Sequence, residues 1–122
     1  MMQCRSKRTR ILVTGGRDYV NVTYAHGVLE QINAYYKEGI VIIQGGAKGA
    51  DRIAKDWALK NGVPCITMDA AWDYYEKRAG SVRNKWMIDI CAPDFVLAFP
   101  GGIGTANMIK EAERVQCPVY PA

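Results

Sequence analysis

Short apolar runs that do not alternate with polar residues recur along the chain at Ile11 to Val13, Ile40 to Ile43, Pro64 to Met68 and Asp94 to Phe99. The segments between them carry apolar residues at three- and four-residue spacing, the period of a helix with one buried face. Residues 22 to 37 place Tyr24, Val28, Leu29, Ile32, Tyr35 and Tyr36 on such a face, and Glu38-Gly39 ends it. Ile53, Ala54, Trp57, Ala58 and Leu59 mark a second helix that stops at Asn61-Gly62. Another opens at Gly80 and Ser81 and runs through Val82, Trp86, Met87 and Cys91, and a last one spans Thr105 to Val115, ahead of a short strand from Pro118 to Tyr120. From Asp69 to Ala79 no period is visible, which predicts a loop or short helix lying over whatever site the fold builds.

Strands without alternation are buried on both faces, and strands that alternate with helices pair in parallel through right-handed crossovers. The expected fold is therefore α/β, a three-layer Rossmann-like sandwich on a mainly parallel five-stranded sheet of order 3-2-1-4-5. Such sheets bind ligands beyond the carboxyl ends of the strands, where the strand order reverses.

Three of those ends carry glycine pairs. Thr14-Gly15-Gly16-Arg17-Asp18 follows the first strand, Gln44-Gly45-Gly46-Ala47-Lys48-Gly49-Ala50-Asp51 the second, and Phe99-Pro100-Gly101-Gly102-Ile103-Gly104-Thr105 the fourth. Glycines let a chain turn sharply and present its N–H groups, and a following helix adds its positive end, so the simplest reading is a phosphate cradle. Gly101, Gly102, Gly104 and Thr105 form that cradle, with the Thr105 hydroxyl as an extra donor. Gly15 and Gly16 form the opposing wall. Arg17 either forks onto a phosphate or pairs with Asp18. At the second turn Gly45, Gly46 and Lys48 are binding candidates, while Asp51 either complements its own helix or holds a ribose hydroxyl. Tyr19 either stacks on a base or packs half-buried, and Trp72, Tyr74 and Tyr75 either close over a base or pack under their loop.

Composition narrows the setting. With 122 residues the chain makes one domain, expected over residues 10–122 behind a flexible basic arm at 1–9. Arg5, Lys7, Arg8 and Arg10 account for the whole net charge of +4, and from Ile11 onward 12 basic residues face 12 acidic ones. A neutral body is no electrostatic DNA surface, so nucleic acid is not the expected partner. No apolar run approaches the roughly 18 to 20 residues of a membrane span, and the amino terminus has no apolar signal core, so a cytoplasmic location without membrane contact is expected. Cys4, Cys65, Cys91 and Cys117 are far apart and His26 is alone, which predicts neither disulfide framework nor metal site. The glycine turns fit neither G-x-G-x-x-G nor the P-loop, because Lys48 is followed by Gly49 rather than Ser or Thr.

Taken with Ala79-Gly80-x-x-Arg83-Asn84-x-x-Met87, the three turns resemble the SLOG superfamily, in its YspA/YpsA-related branch, over Arg10 to Val119. The resemblance implies a Rossmann-like nucleotide-binding domain in which Arg83, with Asn84 beside it, contacts phosphate. It also implies kinship with the LOG phosphoribohydrolases and DprA-like proteins. In the LOG enzymes the turn reads P-G-G-x-G-T-x-x-E, and the glutamate serves the oxocarbenium-like transition state. Met108 stands at that position here, and a thioether neither accepts a proton nor stabilises positive charge as a carboxylate does.

The expected function is binding of a nucleotide or nucleotide-derived small molecule, as a sensor or sequestering module, with no cofactor required. One alternative is a nucleotide N-glycosidase in which Asp18, Asp51 or Asp69 replaces the missing glutamate. Another is weak binding of single-stranded nucleic acid through the basic arm. Tyr35 and Tyr36 also allow a homo-oligomer.

Overall fold

The structure, a computed structural model, describes residues 8–70 and 78–122. Most of the basic arm, with Cys4, and the aromatic candidates Trp72, Tyr74 and Tyr75 lie outside the described residues. The elements run β1 (Thr9–Thr14), α1 (Val22–Tyr35), β2 (Ile40–Gln44), α2 (Ala50–Lys60), β3 (Cys65–Thr67), α3 (Ala79–Cys91), β4 (Phe95–Ala98), α4 (Ile103–Arg114) and β5 (Val119–Pro121). The sheet order is β3-β2-β1-β4-β5 with every pair parallel, the arrangement expected from the alternating pattern.

Within each buried strand successive side chains go to opposite faces. Ile11, Val13, Ile40, Ile42, Phe95, Leu97 and Phe99 pack with Ala25 and Leu29 of α1 and with Ala50, Ile53, Ala54, Trp57 and Ala58 of α2. On the other face Leu12, Ile43 and Val96 meet Met87 and Ile88 of α3 and Met108 and Ala112 of α4. Each large aliphatic side chain removed from water in this way contributes roughly 1.5–3 kcal/mol. The register pairs Ile11 with Ile42 and with Phe95, so the three central strands present one continuous apolar surface to each helical layer.

Local chemistry fixes the element ends. Asn21 caps α1, its side-chain oxygen accepting the Tyr24 N–H at 3.1 Å. The Asn61 amide donates to the Trp57 carbonyl at 2.8 Å to close α2. Asp94 accepts the Arg10 N–H at 2.7 Å and so ties the start of β4 to β1. On the surface Asp89 of α3 takes both Lys85 and Arg114, the latter at 2.7 Å, which clips α3 to α4.

Candidate functional site

Between the carboxyl ends of β1 and β4, where the strand order reverses, lies a cleft of about 970 Å³, at the upper end of the range for small-molecule sites. The β1 turn, the β4 turn, the first turns of α3 and α4, and Ala47 and Asp51 from the β2 turn line it.

The β1 and β4 turns are built against each other. The Gly16 N–H donates to the Pro100 carbonyl at 2.8 Å. A Cβ on Gly101 would collide with the Gly16 N–H and the Thr105 hydroxyl, so glycine there is a condition of the close approach itself. Gly102 and Gly104 are different: a Cβ on either meets nothing within 4 Å. Packing of the chain on itself does not demand glycine at these two positions.

At the head of α4 the Ala106 N–H returns to the Gly102 carbonyl at 3.0 Å, the first intrahelical bond. Helical pairing leaves over the N–H groups of Ile103, Gly104 and Thr105, and no side chain caps them. The Thr105 side chain is buried on the cleft wall, with no hydrogen bond to its hydroxyl among the described residues.

The β2 turn has the opposite character. Asp51, on the first turn of α2, folds back so that its Oδ2 accepts the Gly45 N–H at 3.1 Å and the Ala47 N–H at 3.3 Å. The Gly46 N–H donates to the Gln44 side chain at 2.6 Å, and the Ala50 N–H to the Gly16 carbonyl at 3.2 Å. Gly45, Gly46 and Lys48 stand outside the cleft lining, as does the exposed Asp69. Of the remaining candidates, Gly15, Gly16, Arg17, Asp18, Asp51, Arg83, Asn84, Gly101, Gly102, Gly104 and Thr105 come together on the cleft wall.

Arg83 leans across from α3. Its Nη1 donates to the Gly45 carbonyl at 2.7 Å and its Nε to the Asn84 side-chain oxygen at 2.9 Å. Buried Asn84 in turn donates to the Asn107 side chain at 2.9 Å and to the Gly104 carbonyl at 3.3 Å. One chain of hydrogen bonds thus runs from the β2 turn through α3 to the head of α4 and holds the guanidinium in the cleft wall. Burial pushes the Arg83 pKa down; the Asp51 charge opposes this, Arg17 adds to it, and Asp69 opposes it more weakly. Burial likewise pushes the Asp51 carboxyl up, against the Ala47 N–H, Arg83, the Gly45 N–H and Arg17. Arg17 and Arg83 thus bring two positive charges to one cleft.

Asn107 carries the link from α3 to α4, one position before the Met108 to which the sequence motif points. Met108 is fully buried between α4 and the sheet and does not line the cleft. Tyr19 sits with its ring 5.1 Å from Phe99, partly buried against the core and also on the cleft wall. Cys65, Cys91 and Cys117 are free thiols whose pKa values burial raises, and none lines the cleft. Among the described residues no cluster of three or more His, Cys, Asp or Glu could hold a metal ion, and no helix is long and apolar enough to cross a membrane.

The sequence pattern of the YspA, cpYpsA-related SLOG family matches residues 9–75, a stretch that contains the β1 and β2 turns. The chain belongs to this family. Gene 61 protein of Mycobacterium phage D29 is 35% identical over 117 residues, which cover 90% of this chain and 93% of that protein. In three dimensions the SLOG fold here is similar to DNA processing protein A from Helicobacter pylori, described for its single-stranded DNA binding mode, with TM-score 0.73 and 19% identity over 93% of this chain. The chain spans 64% of that protein's length. It is also similar to the molybdenum cofactor carrier protein MCP from Chlamydomonas reinhardtii, with TM-score 0.66 and 17% identity over 94% of this chain and 76% of the carrier. At these identities the likeness is one of fold. In this chain the switch point of that fold holds the cleft described above.

Proposed function

We propose that the cleft binds a nucleotide or nucleotide-derived small molecule, with a phosphate seated on the head of α4. The observation that carries this reading is the uncapped helix start: three N–H groups, the buried Thr105 hydroxyl and the two guanidiniums of Arg17 and Arg83 share one cleft. A helix N-terminus and a planar guanidinium both suit phosphate oxygens. The volume exceeds what a lone phosphate occupies, so the remainder of the ligand is an organic group of nucleoside size. Relatives of the same fold that bind single-stranded DNA or carry the molybdenum cofactor are compatible with a scaffold serving phosphate-bearing ligands.

A catalytic reading has less support. Asp51 spends its Oδ2 on two N–H groups of its own turn, Asp69 stands outside the cleft lining, and a side chain at position 108 faces the core rather than the cleft. Glycoside cleavage needs a carboxylate aimed at the anomeric carbon, and of the three candidates Asp18 alone lies on the cleft wall without such a structural commitment. Holding, rather than cutting, is the function these residues serve best.

Isothermal titration with nucleoside 5′-monophosphates tests the proposal. Saturable binding is expected, competed by inorganic phosphate and weakened at least tenfold by Thr105→Ala combined with Arg83→Ala. Absence of binding across the panel, or of ligand density beside Gly102 in soaked crystals, overturns it. Release of free base from the same panel, abolished by Asp18→Asn, would instead assign the catalytic reading.

A further inference from the structure

Among the side chains that line the cleft, Ile103 is 91% exposed and Val20 is 81% exposed, each far more than the buried Val13 and Met87 that line it too. Single exposed aliphatics are ordinary on a protein surface. These two are not scattered: one belongs to the β1 turn and the other to the first position of α4, the two elements that wall the switch-point cleft. Ile103 is also the one side chain between Gly102 and Gly104, whose Cβ positions face open space. A molecule with its phosphate on the head of α4 and its body against those two glycines passes beside Ile103, which lines the same cleft.

We infer that Val20 and Ile103 form an apolar clamp at the cleft mouth that grips the flat base of the bound nucleotide. The inference rests on the phosphate-seating reading above and adds a division of labour. The helix head and the guanidiniums hold the anion and ignore the base, whereas the two aliphatic lips hold an aromatic face and ignore the phosphate. Neither lip offers a hydrogen-bond donor or acceptor from its side chain, so the clamp discriminates a nucleotide from a bare sugar phosphate more sharply than it discriminates one base from another.

Affinities of the four common nucleoside 5′-monophosphates and of ribose 5-phosphate, measured for the wild type and for Ile103→Ser, Val20→Ser and Ile103→Leu, test this. Both positions are exposed, so the variants should keep the wild-type fold and melting temperature. The wild type should bind the monophosphates at least tenfold more tightly than ribose 5-phosphate. Ile103→Ser and Val20→Ser should each remove about fivefold to tenfold of that preference, leaving ribose 5-phosphate within about twofold, and Ile103→Leu should retain it. If ribose 5-phosphate binds as well as the monophosphates, or if the serine variants weaken both alike, the clamp is wrong while the phosphate seat stands. If no phosphate compound binds, both readings fall. If the serine variants turn a dimer into a monomer in sedimentation and leave the monophosphate preference unchanged, the lips belong to a protein interface and the clamp is overturned.

Discussion

The turns after β2 and β4 are written in nearly the same residues, a glycine pair with a third glycine two or three positions on, yet their N–H groups are used differently. After β2 the N–H groups of the turn are consumed internally: Asp51 takes those of Gly45 and Ala47, Gln44 takes that of Gly46, and the Gly16 carbonyl takes that of Ala50, although α2, like α4, has no side-chain cap of its own. After β4 the head of α4 is uncapped and opens on a cleft. A glycine-rich strand-to-helix turn is therefore a geometry, and its use depends on whether an acceptor within the chain reaches the donors first. In the β2 turn the carboxylate of Asp51 is that acceptor, and among the described residues no side chain accepts the first N–H groups of α4.

The largest expected effect comes from breaking the closed turn at Gly49. Its φ of +78° with ψ of −129° lies where residues with a Cβ are strained, and a Cβ there overlaps the carbonyl oxygens of Gly16 and Arg17. Gly49→Ala should lower stability by roughly 3 kcal/mol in urea unfolding. Asp51→Ala comes next. It strands the buried N–H of Gly45 and the half-buried N–H of Ala47 and should cost about 2 kcal/mol, whereas Asp51→Asn, which keeps an acceptor oxygen, should cost less. A loss below about 0.5 kcal/mol for Asp51→Ala would mean that the turn does not depend on its internal acceptor.

The open turn should respond in the reverse sense. Gly102→Ala meets no atom, so its cost to stability should stay under about 1 kcal/mol, well below that of Gly49→Ala. The methyl group stands where the ligand would approach, and affinity for nucleoside monophosphates should fall about tenfold by titration calorimetry, equivalent to about 1.4 kcal/mol. Equal stability losses at Gly49 and Gly102 would erase the distinction between the turns.

This distinction was not legible in the sequence, although the fold was. Strands such as the one running through Ile40 to Ile43 announce themselves because burial on both faces leaves no polar positions, and the helices follow from their apolar period. The start of α4 was less visible: it begins at Ile103, two residues before the expected Thr105, because Gly104 is a poor helix former that here occupies the first turn. Asp51 was equally suited to a ribose or to its own helix, since both uses place a carboxylate at the same helix start. Only the fold of the turn, which returns Gly45 and Ala47 to within 3.3 Å of its oxygen, separates them. Asn107 was hidden for a related reason, its partner Asn84 being 23 residues away in sequence.

The smallest expected effect is the pH dependence that the closed turn carries and the open one lacks. Burial raises the Asp51 pKa in the folded protein above its ordinary value of 3.8, outweighing the two N–H groups and the guanidiniums of Arg83 and Arg17. The folded protein thus holds this proton at pH values where the unfolded chain has released it. By linkage the stabilisation is complete below the ordinary carboxylate pKa and is lost as pH rises through the folded-state value. Asp89 works in the other direction, since its bonds to Lys85 and Arg114 lower its pKa, so its contribution is present above the ordinary range and disappears as the solution is acidified. Between pH 4 and pH 7, about the window above the ordinary carboxylate pKa, wild-type stability should therefore decline relative to Asp51→Asn, with the Asp89 contribution common to both. Denaturant unfolding across that window reads the difference. Parallel curves would show that the Asp51 charge is held as comfortably inside the closed turn as in water, and that an acidic side chain at the head of α4 could have closed the other turn at no electrostatic cost.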